Sequence, residues 1–237
     1  QTNTYTYGDK ITFTFTAQPK KPSRRSRRSV QKDEVEFVYN DQVLGKSYVT
    51  NGQATFVYDT KSNIIKPGEA KISVRYGGSD QLESTNANEK VTITLNKFSI
   101  KQENIKNVKL QDFVYDGQTK ETKITNIVWQ DAVQEILNGV YVTGKGAVNS
   151  VNAGMYDKAD IQDLEIAGEN AQWYELSNTS YTQVPVSVNI LKAEAPKTVH
   201  DTQVIALNSQ QMTHDMDFSA YLPSGFTTST ITVDKNG

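Results

Sequence analysis

The sequence has no cysteine and only two histidines, His200 and His214, among its 237 residues. The first absence excludes disulfide frameworks, thiol nucleophiles, zinc ribbons and iron–sulfur sites, and the second leaves too few imidazoles for a multi-histidine metal centre. Absent cysteine suits both an extracellular chain that does without disulfides and a cytosolic one, so it does not fix the compartment. Long apolar runs are missing as well. No stretch approaches the roughly 18 residues of a bilayer-spanning helix, and Gln1 does not open a basic, apolar and then small-residue leader. We expect no membrane insertion in this segment, which reads as a soluble piece of a larger protein. What remains is 36% hydrophobic and 22% charged, with a formal net charge of −2. A chain of this length holds one large domain or two of about 100 residues, and two or more are expected.

The signal that is present is strict alternation. It runs through Ile11-Thr12-Phe13-Thr14-Phe15-Thr16, Val35-Glu36-Phe37, Ala70 to Tyr76 and Val91 to Leu95. Period two in Thr, Val, Ile and aromatic residues predicts half-buried antiparallel strands. Turn dipeptides separate them: Asn40-Asp41, Asn51-Gly52 and Pro67-Gly68. Several short strands at this spacing predict a β-sandwich.

The second half offers Val140 to Thr143, Ile161 to Ile166 and Val184 to Ile190 as further strands. Between them, Val133, Ile136 and Leu137 fall at helical spacing behind Asp131 and before Gly139, which predicts one or two helical turns laid on a sheet. Composition shifts at Asn96-Lys97 and at Leu191 to Pro196 mark linkers. The predicted division is residues 1–96, 97–193 and 194–237, the last being a partial third module with strands near Thr202 to Leu207 and Thr228 to Val233. The fold class is all-β.

Residues about 4–95 resemble the bacterial immunoglobulin-like repeats of large cell-surface proteins. The resemblance rests on Tyr7-Gly8-Asp9, Val43-Leu44-Gly45, Asn51-Gly52-Gln53-Ala54-Thr55, Pro67-Gly68 and Val74-Arg75-Tyr76-Gly77-Gly78-Ser79-Asp80, in that order. Residues about 98–193 resemble a second surface repeat, the mirror β-grasp or Tyr-Asp-Gly type. Its carriers are Val114-Tyr115-Asp116-Gly117-Gln118-Thr119, Val151 to Tyr156, Leu164 to Gly168 with Asn170 to Leu176, and Val186 to Ala193. Gln172 stands where that family has a glycine before its late aromatic. Together these resemblances imply an extracellular, cell-surface or secreted multi-module protein with no catalytic residues and no cofactor.

Candidate sites follow from local chemistry. Trp173 and Tyr174 are the candidate glycan contacts, because flat rings stack on sugar faces. Lys20, Lys21, Arg24, Arg25, Arg27, Arg28 and Lys32 put seven basic residues into thirteen with no acid, a candidate contact for anionic surfaces. Residues 1–96 carry 14 basic and 10 acidic side chains (+4), whereas 97–194 carry 9 and 13 (−4). With no aromatic inside that run, base stacking is absent and specific nucleic-acid recognition is not expected. Asp157, Asp160, Asp163 and Glu165 offer hard oxygens without a calcium-loop motif, so no metal is assigned. Tyr115-Asp116-Gly117 and Gly77-Gly78-Ser79-Asp80 read as turns. Leu222-Pro223-Ser224-Gly225 lacks the threonine of a wall-anchoring signal.

The expected function is a non-catalytic stalk or spacer and adhesion segment, monomeric, meeting anionic or glycan surface polymers or a host or neighbouring-cell ligand. The alternative is a carbohydrate-binding accessory region of a secreted glycan-active enzyme.

Overall fold

The computed structural model describes residues 3–20, 33–79, 81–85, 90–194, 213–216 and 231–234. Two compact units emerge. The first takes residues 1–100, 131–141 and 166–177, and the second takes 101–130, 142–165 and 178–237.

In the first unit the strands are β1 (Asn3–Thr6), β2 (Lys10–Thr16), β3 (Glu34–Tyr39), β4 (Gln42–Tyr48), β5 (Gln53–Asp59), β6 (Gly68–Tyr76) and β7 (Lys90–Asn96). A five-stranded sheet in the order β1-β7-β6-β3-β4 and a two-stranded sheet β2-β5 form the immunoglobulin-like sandwich. Alternation decides which side chains face inward. Ile11 and Phe13, Val35 and Phe37, Ala70 and Ile72, and Ile93 and Leu95 are all buried in one cluster. Each such valine, isoleucine, leucine or phenylalanine side chain withdrawn from water contributes about 1.5–3 kcal/mol. Asn40 and Asp41 both adopt positive φ (47° and 64°) between Tyr39 and its partner Gln42. That left-handed pair matches the strand twist in a two-residue hairpin, which is why short polar residues stand there. β1 joins β7 in parallel, with Tyr5 opposite Leu95.

The Tyr7-Gly8-Asp9 turn is tied to the end of β5 through Thr60, whose side chain is fully buried. The Thr60 hydroxyl donates to the Asp9 carbonyl and accepts from the Gly8 amide, each at 2.8 Å. Nearby, the buried Ile65 amide donates to the Tyr58 hydroxyl at 2.9 Å. Tyr58→Phe removes that acceptor and strands a buried N–H, so about 1–3 kcal/mol of stability is expected to be lost. Urea unfolding checks this, with a lower midpoint at unchanged slope as the expected result.

The chain continues through β8 (Phe98–Ile100), β9 (Ile105–Leu110), β10 (Phe113–Val114), β11 (Glu121–Trp129), α1 (Asp131–Gln134), β12 (Tyr141–Ala147), β13 (Gly154–Ala167), β14 (Tyr174–Leu176) and β15 (Tyr181–Leu191). The second unit is a six-stranded sheet ordered β10-β15-β13-β12-β11-β9, in which β9 also pairs with β15. The strands β15-β13-β12-β11-β9 therefore close into a ring, with Val108, Leu110, Ile161, Val184, Val186 and Ile190 buried. Glycines permit close approach inside it: a Cβ on Gly146 would sit 2.6 Å from the Leu110 side chain.

The predicted helix is present but reaches only four residues. It groups with the first unit rather than lying on the sheet of the second, and so do β8 and β14, which pair in parallel. Residues 98–100, 131–141 and 166–177 are thus grouped in one compact unit with β1 to β7. Beyond residue 194, β16 (Thr213–Met216) and β17 (Ile231–Asp234) pair antiparallel. The strand predicted over Thr202 to Leu207, His200 and the Leu222 to Gly225 tetrapeptide lie outside the described residues.

Candidate functional site

The candidate glycan contacts Trp173 and Tyr174 do not face solvent. Trp173 is 5% exposed and Tyr174 is 2% exposed. A short 3-10 turn over Ala171–Trp173 delivers them to β14. There the Trp173 indole N–H donates to the Ile65 carbonyl at 3.3 Å, and the Tyr174 hydroxyl donates to the Ile136 carbonyl at 2.9 Å while accepting from the Asn138 amide at 3.0 Å. Tyr7 meets the Tyr174 ring edge-on, with centroids 5.1 Å apart, and the Trp173 ring at 6.1 Å. Buried and with their polar tips engaged, neither ring presents a platform for a sugar. The glycan-contact expectation is corrected on this point: these aromatics are core of the first unit.

The same packing alters an ionisation. Burial, reinforced by the neighbouring Tyr174 hydroxyl, pushes the Tyr7 hydroxyl well above the usual phenol range. It is 1% exposed and donates to the Asn63 side-chain carbonyl at 2.8 Å. A raised folded pKa means that Tyr7 stabilises the fold fully below the unfolded value near 10 and that this contribution is lost as pH rises through the folded value. In an alkaline spectrophotometric titration of the intact chain, at least one of the twelve tyrosines is expected to stay un-ionised until the fold opens. Tyr7→Phe is expected to reduce the amplitude of that late step by one tyrosine, with Tyr76, whose hydroxyl burial also raises, still titrating late.

Of the basic run, Lys20 alone is described. Its ammonium donates to the Ser79 carbonyl at 2.5 Å, and its amide donates to the Gln81 carbonyl at 2.7 Å. Lys21, Arg24, Arg25, Arg27, Arg28 and Lys32 lie outside the described residues. Ser79 itself organises a turn, its hydroxyl accepting from the Leu82 amide at 3.2 Å. Gly78, at φ 79°, lies so close to Ser84 that a Cβ would come within 2.7 Å of its amide. This is a tight backbone crossing rather than a phosphate cradle.

Asp116 behaves as a turn residue. Its carboxylate accepts from the Gln118 amide at 3.2 Å, and Gly117 takes φ 77°. The Lys120 ammonium beside it holds the carboxyl below the usual range. Two of the four clustered acids are likewise engaged: Asp160 accepts from the Gln183 amide at 2.9 Å, and Asp163 pairs with Lys145 at 3.1 Å. Among the described residues no three His, Cys, Asp or Glu side chains gather as metal ligands.

Among the described residues, the second unit carries a concavity on its closed sheet. An open depression of about 600 Å³ is lined by Lys109 of β9, Asp112, Met155 and Asp157 of β13, and Ser187 and Asn189 of β15. It forms where the β9 edge parts from β15. Val186 and Ser187 pair with Val108 and Lys109, pairing resumes at Ile190 and Leu191 with Phe113 and Val114, and Asp112 fills the gap by accepting from the Asn189 amide at 2.8 Å. Sequence reasoning missed this site, because its residues come from three distant strands and carry no local motif.

With this geometry in hand, the comparisons place part of the chain. Residues 1–96 match the family described as bacterial Ig-like domain (group 3), in agreement with the sandwich of β1 to β7. Among solved structures, the fibronectin(III)-like modules of Clostridium thermocellum CbhA match at 12% identity, covering 85% of this chain and 95% of that one, with a TM-score of 0.27. No curated protein matches. These matches do not show the mirror β-grasp likeness of residues 98–193.

Proposed function

We propose that this chain is a non-catalytic segment of a bacterial surface or secreted multi-module protein, serving as a spacer that carries adhesive contacts away from the cell. The observation that supports this reading is the match of residues 1–96 to the bacterial Ig-like family, a module type typical of extracellular and surface proteins. No helix of the described residues is long and apolar enough to cross a membrane. The test is accessibility on intact cells of the source bacterium. Antibodies raised against this chain should label unbroken cells, or find it in the medium, and external protease should remove the surface label. Label that appears only after lysis contradicts the proposal.

The basic run is proposed as an electrostatic contact for anionic polymers. Seven cations between Lys20 and Lys32 attract a polyanion by counterion release, and that attraction weakens steeply with salt. Arg24, Arg25, Arg27 and Arg28 all changed to Ser should abolish low-salt retention on an immobilised polyanion without shifting the unfolding midpoint. Retention equal to the parent chain overturns this contact.

A further inference from the structure

We propose that the depression between β9, β13 and β15 is a binding site for a neutral sugar unit of a glycan. This inference does not rest on where the protein is located.

The chemistry of the lining selects the ligand class. Lys109 supplies donors, Asp157 acceptors, and the Asn189 side chain both, so the set serves vicinal hydroxyls that must donate and accept at once. A simple anion or cation would call for one sign of charge, yet exposed Lys109 and exposed Asp157 share the same rim. A docked peptide would call for aromatic or aliphatic anchor pockets. Here the valines of the floor, Val186 and Val188, are already 3% and 5% exposed, sealed beneath the site. The apolar group offered to solvent is Met155, 87% exposed. An unbranched, polarisable thioether is suited to lie against the C–H face of a pyranose ring.

Two features of the site are preorganised. The Ser187 hydroxyl accepts from the Asn107 side-chain carboxamide at 3.0 Å, and Asp112 accepts from the Asn189 backbone amide at 2.8 Å. All the side chains stand on or beside strands of the closed sheet, which favours precise placement over loop adaptability. The volume, about 600 Å³, falls in the range of small-ligand sites, roughly 300–1,000 Å³, and the open mouth leaves room for a chain to continue on either side.

The intact chain, labelled with 13C at its methionine methyls, tests the proposal directly. Met155 lines the site and serves as its reporter. The probes are cellotriose and triacetylchitotriose, with trialanine and inorganic phosphate as comparators. Saturable shifts of the Met155 methyl and of the Ser187 and Asn189 amides are expected with at least one trisaccharide. Asn189→Ala, which keeps the backbone bond to Asp112, and Lys109→Met are each expected to weaken binding by about tenfold, the loss of one well-placed hydrogen bond. Three results would each overturn the site: no saturable shift with either sugar, saturation by the peptide or phosphate instead, or sugar binding unchanged in both variants.

Discussion

Trp173→Ala is expected to destabilise the first unit by about 3–5 kcal/mol, the range for emptying a buried large aromatic site. The indole is 5% exposed, packs on Tyr7 and satisfies the Ile65 carbonyl. Removing it creates a cavity and leaves a buried acceptor without its donor, two costs that act together. Trp173→Phe retains most of the packing and loses the hydrogen bond, so a loss of about 1–2 kcal/mol is expected. Chemical unfolding of the intact chain measures both. A sugar-stacking tryptophan at the surface would behave oppositely: its removal would abolish binding and leave stability within about 0.5 kcal/mol of the parent. The size of the loss therefore separates a core residue from a ligand contact.

Gly45→Val is expected to be nearly as damaging, at about 3 kcal/mol or more. Gly45 lies opposite Phe37 across the β3–β4 ladder, and a Cβ placed on it would fall 2.2 Å from the Phe56 ring. That ring stacks on Phe37 at 5.3 Å, so it cannot swing away without opening the core contact. Gly52→Ala provides the contrast. Gly52 has φ 80°, and nothing lies within 4 Å of the point its Cβ would occupy, so only the backbone strain of a left-handed residue remains, about 1–2 kcal/mol. Urea midpoints for the two variants should differ accordingly, and equal effects would mean that Phe56 does not occupy the space beside Gly45.

These residues also show what sequence alone can and cannot convey. Ile11 to Thr16 and Ala70 to Tyr76 are legible because a half-buried antiparallel strand writes its burial into every second residue. Asn40-Asp41 is legible because a two-residue hairpin demands left-handed residues. β11 is not, since bulges between Ile124 and Asn126 and between Val128 and Trp129 break its alternation. Asn3 of β1 pairs with Ile93 of β7, far along the chain, and no turn signal announces such a partner. Trp173 stands out as an aromatic, but its burial does not, because its partners Tyr7 and Ile65 lie more than a hundred residues distant. The proposed sugar site has the same character: Lys109, Met155 and Asn189 converge only once the sheet closes.

Residues 131–141 and 166–177 fall in the same compact unit as β1 to β7, although they belong to the later half of the sequence. Native-state amide exchange on the intact chain tests this most directly. The Asn138 amide is held by Tyr174 and the Ser177 amide by the Ile100 carbonyl. Both should open with nearly the same free energy as the core amides of Phe37 and Ile72, as members of one cooperative unit, and Trp173→Ala should lower all four together. If Asn138 and Ser177 instead exchange freely while Phe37 and Ile72 remain protected, the later segments are not part of that unit.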